Sequence, residues 1–307
     1  MPDRLTARGW LALLVTVSLW GSGFVAIRMG LRGYSPAHLA LLRFLAASVT
    51  IITYALIARV RLPARKDVPI ILLAGFLGIS VYQIALNTGE KTVTGGAAAM
   101  LVASAPIFSA LLARIFMHER LRLWGWVGIA ISFLGVSLIA IGEEGGIHFN
   151  LGAFFVLISA VVTAVSILFQ KRYLRSYNVN EFSTHLICAG TLFLLPFFSG
   201  LGTQVRTAPL SATLAAIYLG VFPAAISYVT WGIVLKKIPA SVAASSLYTP
   251  PAFAIVIGWA LLGEVPSALA LIGGALALAG VTLVNTKGHA PGAVEIAPGE
   301  YAVDRGD

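Results

Sequence analysis

The sequence predicts an all-α integral membrane protein: ten transmembrane helices in two inverted five-helix repeats, with both termini cytoplasmic. Three observations predict it. The 307 residues are 58% hydrophobic and only 11% charged, with a mean hydropathy of +0.91, whereas soluble domains carry roughly 25% charged residues. Apolar runs of about 20 residues recur along the chain, each long enough to cross a hydrocarbon core of about 30 Å at ~1.5 Å per residue. The second half also repeats the first at a nearly constant offset.

Taken in order, the spans of the first half are Gly9–Leu31, Ala37–Ala58, Val68–Thr88, Gly95–Met117 and Leu123–Gly142. Those of the second are Leu151–Lys171, Glu181–Gly200, Ser211–Leu235, Ser241–Leu262 and Pro266–Thr286. The first follows Arg4 and Arg8 as a signal peptide would, but runs on past about 20 residues with no small-residue cleavage site, so it reads as a span. Continuous rather than alternating apolarity excludes a β-barrel.

Orientation follows from Lys and Arg. With the N-terminus inside, cytoplasmic segments carry 16 of the 21 basic residues, among them Arg59, Arg61, Arg65, Lys66, Arg120, Arg122 and Lys237. The outer segments hold Arg28, Arg32, Arg43, Lys91 and Arg206. That bias places both termini in the cytoplasm. It also accounts for the net charge of +9 without nucleic acid. The single Cys188 rules out an intramolecular disulfide.

The repeat is the most informative feature. An offset of 145 pairs Gly75 with Gly220, Lys91 with Lys236, Pro106 with Pro251, Glu119 with Glu264, Gly128 with Gly273 and Gly135 with Gly280. Nearer each start an offset of 143 pairs Gly9 with Gly152, Arg28 with Lys171 and Tyr34 with Tyr177. The units are residues 1–146 and 147–286, followed by a polar tail, 287–307, expected to be disordered and cytoplasmic. An odd number of spans per unit inverts one unit relative to the other. Inverted repeats put a substrate site near the midplane at their interface, exposed to either side in turn.

Particular stretches carry a family resemblance. WGSGFVAIRMGL (Trp20 to Leu31), followed by SPAHLALLRF (Ser35 to Phe44), resembles the opening of the EamA-type drug/metabolite transporters. So do Pro106 with ALLARIFMHERL (Ala110 to Leu121) and GVSLIA (Gly135 to Ala140), and their counterparts Pro251, LLGEV (Leu261 to Val265) and GVTLV (Gly280 to Val284). The likeness covers roughly residues 9–286. It implies a ten-helix carrier, usually an exporter of metabolites, with the bacterial ten-helix members exporting aromatic and other neutral amino acids. The sequence departs from a full repeat where Thr163 and Ala164 stand in place of a second Trp-Gly.

Polar side chains within spans are pointers to a pathway. Ser159, Thr163, Ser166 and Gln170 form one stripe on the sixth span, either a cavity wall or helix–helix hydrogen bonding. Tyr82 and Gln83 on the third span are mirrored by Ser227 and Tyr228 on the eighth. Trp20, Phe24, Tyr82 and Tyr228 are available to stack a substrate, while Trp231 is ambiguous and Trp10, Trp124 and Trp126 suit an interfacial belt. Met100, Ser104, Ser245 and Ser246 occupy mirrored faces of the fourth and ninth spans. The expected substrate-binding set is Trp20, Phe24, Tyr82, Gln83, Met100, Ser104, Thr163, Ser166, Tyr228, Ser245 and Ser246. Pro106 and Pro251 are expected mirrored kinks, as hinges or static bends. His185 and Cys188 read as a packed core pair.

Two charges need separate treatment. Arg43 lies about 9 Å into its span by helix rise. It is expected to snorkel outward or pair with Glu90, with a substrate carboxylate as a further partner. Glu90, near the outer end of the third span, is expected as a solvated rim carboxylate. No other acidic residue approaches a span interior. The chain is therefore expected to be a facilitator, or to couple through an unusual group.

No phosphate-binding loop, His-rich metal spacing or nucleophile elbow occurs, so neither an enzyme nor a cofactor is expected. The expected function is an inner-membrane carrier that exports small neutral or zwitterionic metabolites, chiefly amino acids, by alternating access. A multidrug exporter of cationic compounds, which would want a buried carboxylate, is one alternative. An intramembrane enzyme or lipid-handling protein is another. The expected partners are a small-molecule substrate and the lipid bilayer. The small-residue faces at Gly128, Gly135, Gly274 and Gly280 leave open whether they pack within one chain or between chains.

Overall fold

The computed structural model describes residues 7–116, 122–142, 150–173, 176–237 and 248–287, and among these there are helices and no strands. The helices up to the middle of the chain are α1 (Ala7–Gly30), α2 (Pro36–Ile57), α3 (Val68–Gly75), α4 (Tyr82–Gly89), α5 (Gly95–Val102), α6 (Ala105–Phe116) and α7 (Leu123–Gly142). The remainder are α8 (Leu151–Tyr173), α9 (Val179–Leu194), α10 (Leu201–Thr207), α11 (Leu210–Leu219), α12 (Ser227–Lys237), α13 (Pro250–Leu262) and α14 (Ala268–Lys287). Seven stretches among the described residues are long and apolar enough to cross a membrane. Three shorter apolar helices accompany them, at Leu151–Ser166, Pro250–Leu262 and Ala268–Val284.

Local chemistry sets the helix starts. Ser35 caps α2, its hydroxyl accepting from His38 N with Pro36 in the first turn. Asn178 and Glu181 form a reciprocal capping box at α9, which starts two residues before the expected Glu181 and gives way to a 3₁₀ turn at Leu195–Phe198. The short helix α10 then occupies what the sequence suggests is loop.

Two helices change pitch at related places. Phe76–Val81 joins α3 to α4 as a π-helical segment, and Gly220–Ile226 joins α11 to α12 in the same way. The 145-residue offset superposes the two. A π segment widens the turn and re-aims the side chains beyond it, here Tyr82-Gln83 and Ser227-Tyr228. Gly75 and Gly220 seat these segments. A Cβ on Gly75 would stand 2.6 Å from Gly190 N, and one on Gly220 2.3 Å from the Arg43 carbonyl.

The other close seam joins α7 to α14. Gly128 faces Gly280, while Gly135 faces Gly273, and a Cβ on any of the four would meet backbone within 2.7 Å. Each glycine therefore touches the repeat mate of the other, the reciprocity a two-fold axis imposes. Ser132 donates to the carbonyl of Ala277, its own mate, at 2.8 Å. These small-residue faces pack within one chain.

The proline expectation is altered in detail. The fourth span is broken rather than bent: α5 stops at Val102, Ala103 and Ser104 form a turn, and α6 restarts with Pro106 as its second residue. A missing N–H costs nothing in a first turn. Pro250 and Pro251 likewise open α13.

Contacts sort the connections to two ends. At one, Arg28 meets Glu264, Thr92 meets Asn150 and Ser35 meets Gln204. At the other, Tyr177 accepts from Ala64 N and donates to Asp67, and His185 bonds the Arg61 carbonyl. Buried His185 and the half-buried Cys188, which packs on the main core, both border an apolar cavity of about 500 Å³ against α2 and α3 there, and His185 alone bonds the Arg61 loop.

Candidate functional site

The expected stripe on α8 lies against the first π segment. Ser159 donates to the Tyr82 carbonyl at 3.1 Å, and Thr163 donates back to the Ser159 carbonyl at 2.8 Å. Ser166 is buried with no partner for its hydroxyl, close to Gly78, where a Cβ would be 2.8 Å from Ser166 Oγ. Gln83, 1% exposed, donates to Asn87 Oδ1 at 2.7 Å, and Asn87 donates to the Pro36 carbonyl. Gln83 Oε1 has no partner. Tyr82 and Tyr228 are half-buried beside the main core.

Other expected residues lie apart from this group. Trp20 meets Trp231 with ring centroids 5.2 Å apart, so Trp231 stands inside the helix assembly rather than in an interfacial belt. Phe24 is in the core. Met100 packs its sulfur on Gly274, leaving no room for a Cβ there. Ser104 returns its hydroxyl to the Leu101 carbonyl at 2.6 Å. Ser245 and Ser246 lie outside the described residues, as does the tail from residue 288.

Two expectations are overturned. Glu90 is no solvated rim carboxylate: its side chain is fully buried, and neither carboxyl oxygen has a hydrogen-bond partner. It follows the last residue of α4 and is covered because other chain segments converge over that helix end. Arg43 neither snorkels nor pairs. It is 8% exposed, its Nε has no partner, and its guanidinium stands 5.4 Å from the Phe44 ring centroid. The groups its charge acts on most are Tyr82, Tyr228 and Glu90. Snorkelling needs a route to water, and the packing of α2 against α9 and the Gly220–Ile226 segment closes it.

Spacing along the chain did not mark Arg28, yet it organises the end of the molecule where Glu90 lies. Its Nε and Nη2 donate to the Glu264 carboxylate at 2.9–3.2 Å. Its Nη1 donates to the Glu90 carbonyl and, at 3.3 Å, to that of Lys91. One guanidinium thus ties α1 to the α4–α5 connection and to the α13–α14 connection. The available signal was the repeat itself, which makes Arg28 and Glu264 the mates of Lys171 and Glu119. Burial raises the Glu90 carboxyl well above the ordinary glutamate range; Arg28 and Arg43 oppose the rise and Glu264 adds to it. Among the described residues no group of His, Cys, Asp and Glu is placed to hold a metal.

Known proteins place this architecture. The EamA-like transporter family matches residues 7–141 and again residues 150–286. The chain is 43% identical over 271 residues to "Uncharacterized transporter YdfC" of Bacillus subtilis (strain 168), covering 88% of this chain and 89% of that one. It is 41% identical over 284 residues to a "Probable terminal-alkyne amino-acid exporter" of Streptantibioticus cattleyicolor, covering 92% and 95%. A solved structure titled "Crystal structure of protein" shares the fold at a TM-score of 0.61 and 19% identity, over 91% of this chain and 97% of that one. The chain is a multi-span membrane protein that belongs to the EamA-like transporter family.

Proposed function

We propose that the chain is an inner-membrane exporter of small neutral or zwitterionic metabolites, chiefly aromatic and other neutral amino acids. It works by alternating access between two inverted five-helix repeats, ten spans in all, with both termini cytoplasmic. One observation carries the reading. Two repeat-related π segments aim Tyr82-Gln83 and Ser227-Tyr228 inward, close to the unpaired guanidinium of Arg43. Aromatic faces, an amide with a free acceptor and one cation suit a ring-bearing zwitterion. Thr163 and Ser166 complete the wall from α8, with Trp20, Phe24, Met100, Ser104, Ser245 and Ser246 at its margins. Pro106 and Pro251 begin the segments that hinge. The similarity to a protein named as an amino-acid exporter supports the same substrate class.

A second reading, export of cationic compounds, gains from the buried Glu90 and loses from Arg43 in the same interior. Counterflow in reconstituted vesicles decides between them, with labelled amino acids, purines and cationic dyes as the panel. The amino-acid arm should respond, and Gln83→Ala and Thr163→Trp should each reduce it. Transport of dyes alone, or indifference of every substrate to both substitutions, overturns the reading.

A further inference from the structure

Two guanidiniums, differently engaged, act on the Glu90 carboxyl. Arg28 already has a carboxylate partner in Glu264, and spends its Nη1 on the Glu90 and Lys91 carbonyls rather than on the Glu90 side chain. Arg43 has no carboxylate partner and leaves its Nε unmatched. Glu90 itself, fully buried, leaves both oxygens unmatched. A buried carboxylate in that condition is far from stable, whereas a neutral carboxyl needs much less.

We propose that Glu90 is a proton-binding site, and that closing the Arg28–Glu264 end of the transporter takes up one proton there. With the proton on, Glu90 is neutral and Arg28 is left to Glu264, which pins α1 to the α13–α14 connection. With the proton off, Glu90 becomes a second carboxylate competing for Arg28. The bridge loosens and water reaches the new charge. The exchange balances: closure moves one proton from water to the Glu90 carboxyl, and opening returns it.

Among the described residues, the groups facing Glu90 are few. From α1 comes Arg28, from the α13–α14 connection Glu264, and from α2 Arg43; on its own helix Tyr82 feels its charge, and Lys91 follows it in sequence. Gly95–Val102 of α5 and Leu151–Ser166 of α8 contribute no titratable side chain. Because the closed arrangement raises the affinity of Glu90 for its proton, linkage favours closure at low pH. That preference is complete below the ordinary glutamate value of 4.5 and is lost as pH rises through the raised value. The site stands whatever the substrate proves to be. It takes the second of the two couplings the sequence leaves open, an unusual group rather than plain facilitation.

The test uses the full chain in lipid nanodiscs and infrared difference spectra across a pH titration. The wild type should show a protonated-carboxyl band that persists above the ordinary glutamate range, and Glu90→Gln should lose it. Glu264→Gln, which hands Arg28 to Glu90, should move the disappearance of the band to lower pH. A wild type without such a band, or a band that survives Glu90→Gln, overturns the proposal. So does a midpoint that Glu264→Gln leaves in place, a comparison that holds even if Glu90→Gln fails to fold. An absence of amino-acid counterflow with the band present would instead count against the substrate reading alone.

Discussion

The π segments at Phe76–Val81 and Gly220–Ile226 have matching backbones and unlike surroundings. Beyond the first come Gln83, Asn87 and Glu90, all buried. The 145-residue mates of those positions are Tyr228, Gly232 and Leu235. Arg43, beside the same interior, has Leu186 as its mate at the 143-residue offset. The backbone is thus duplicated, and the charge is placed once. Under the alternating access proposed above, symmetric hinges are needed. Two symmetric charged centres are not, and a second buried charge would add its own desolvation cost.

The largest expected effect tests the shared backbone. Gly75→Leu and Gly220→Leu should both abolish folded protein, since overpacking by even a few methylenes costs about 1–3 kcal/mol and here the obstruction is backbone. The yield of monodisperse protein after purification is the readout. Tolerance of one substitution and not the other would break the equivalence of the two segments.

Next comes the unequal chemistry. Arg43→Leu should raise the thermal unfolding temperature, because it removes a buried cation with an unmatched donor. The same variant should lower amino-acid counterflow at least tenfold, or about 1.4 kcal/mol. Leu186→Met, at the mate, should change either measurement little, as volume-conserving swaps usually cost under about 1.5 kcal/mol. Loss of stability in Arg43→Leu would mean that Arg43 holds the fold rather than the pathway.

A smaller effect is expected of Glu264→Gln on stability. The Arg28–Glu264 side chains are 24% and 21% exposed, so solvent screening keeps the pair near the ~0–1 kcal/mol typical of accessible ion pairs. A shift in thermal midpoint much larger than that would make the bridge a structural strut. Smallest of all is Ser166→Ala. Its buried hydroxyl has no partner, so removal should be neutral or stabilising by up to about 1 kcal/mol. Reduced counterflow in that variant, at unchanged stability, would place Ser166 on the pathway.

Much of the architecture was legible because it depends on local properties. The spans follow from apolar length. The seam of α7 and α14 was visible as glycines at matching positions, though whether they met in one chain or two was not. The π segments were not legible. Gly75, Gly78, Gly220 and Pro223 mark places where a helix tolerates a change of pitch, but the same residues occur in ordinary packed helices. Of the expected site residues, Ser166 lies against Gly78 of the first π segment, while Met100 and Ser104 are taken up by packing and by a backbone bond.

By itself the sequence determined that the chain is a helical membrane protein built from two related halves. Hydropathy and repetition are written residue by residue, and neither needs a neighbour to take effect. Only the tertiary structure decided the state of its charges. Glu90 looks like a rim residue by position and is sealed by packing, and Arg28 looks like a loop cation and bridges three elements. The cost of a charge depends on what covers it and what lies within a few ångströms, and both come from parts of the chain far away in sequence.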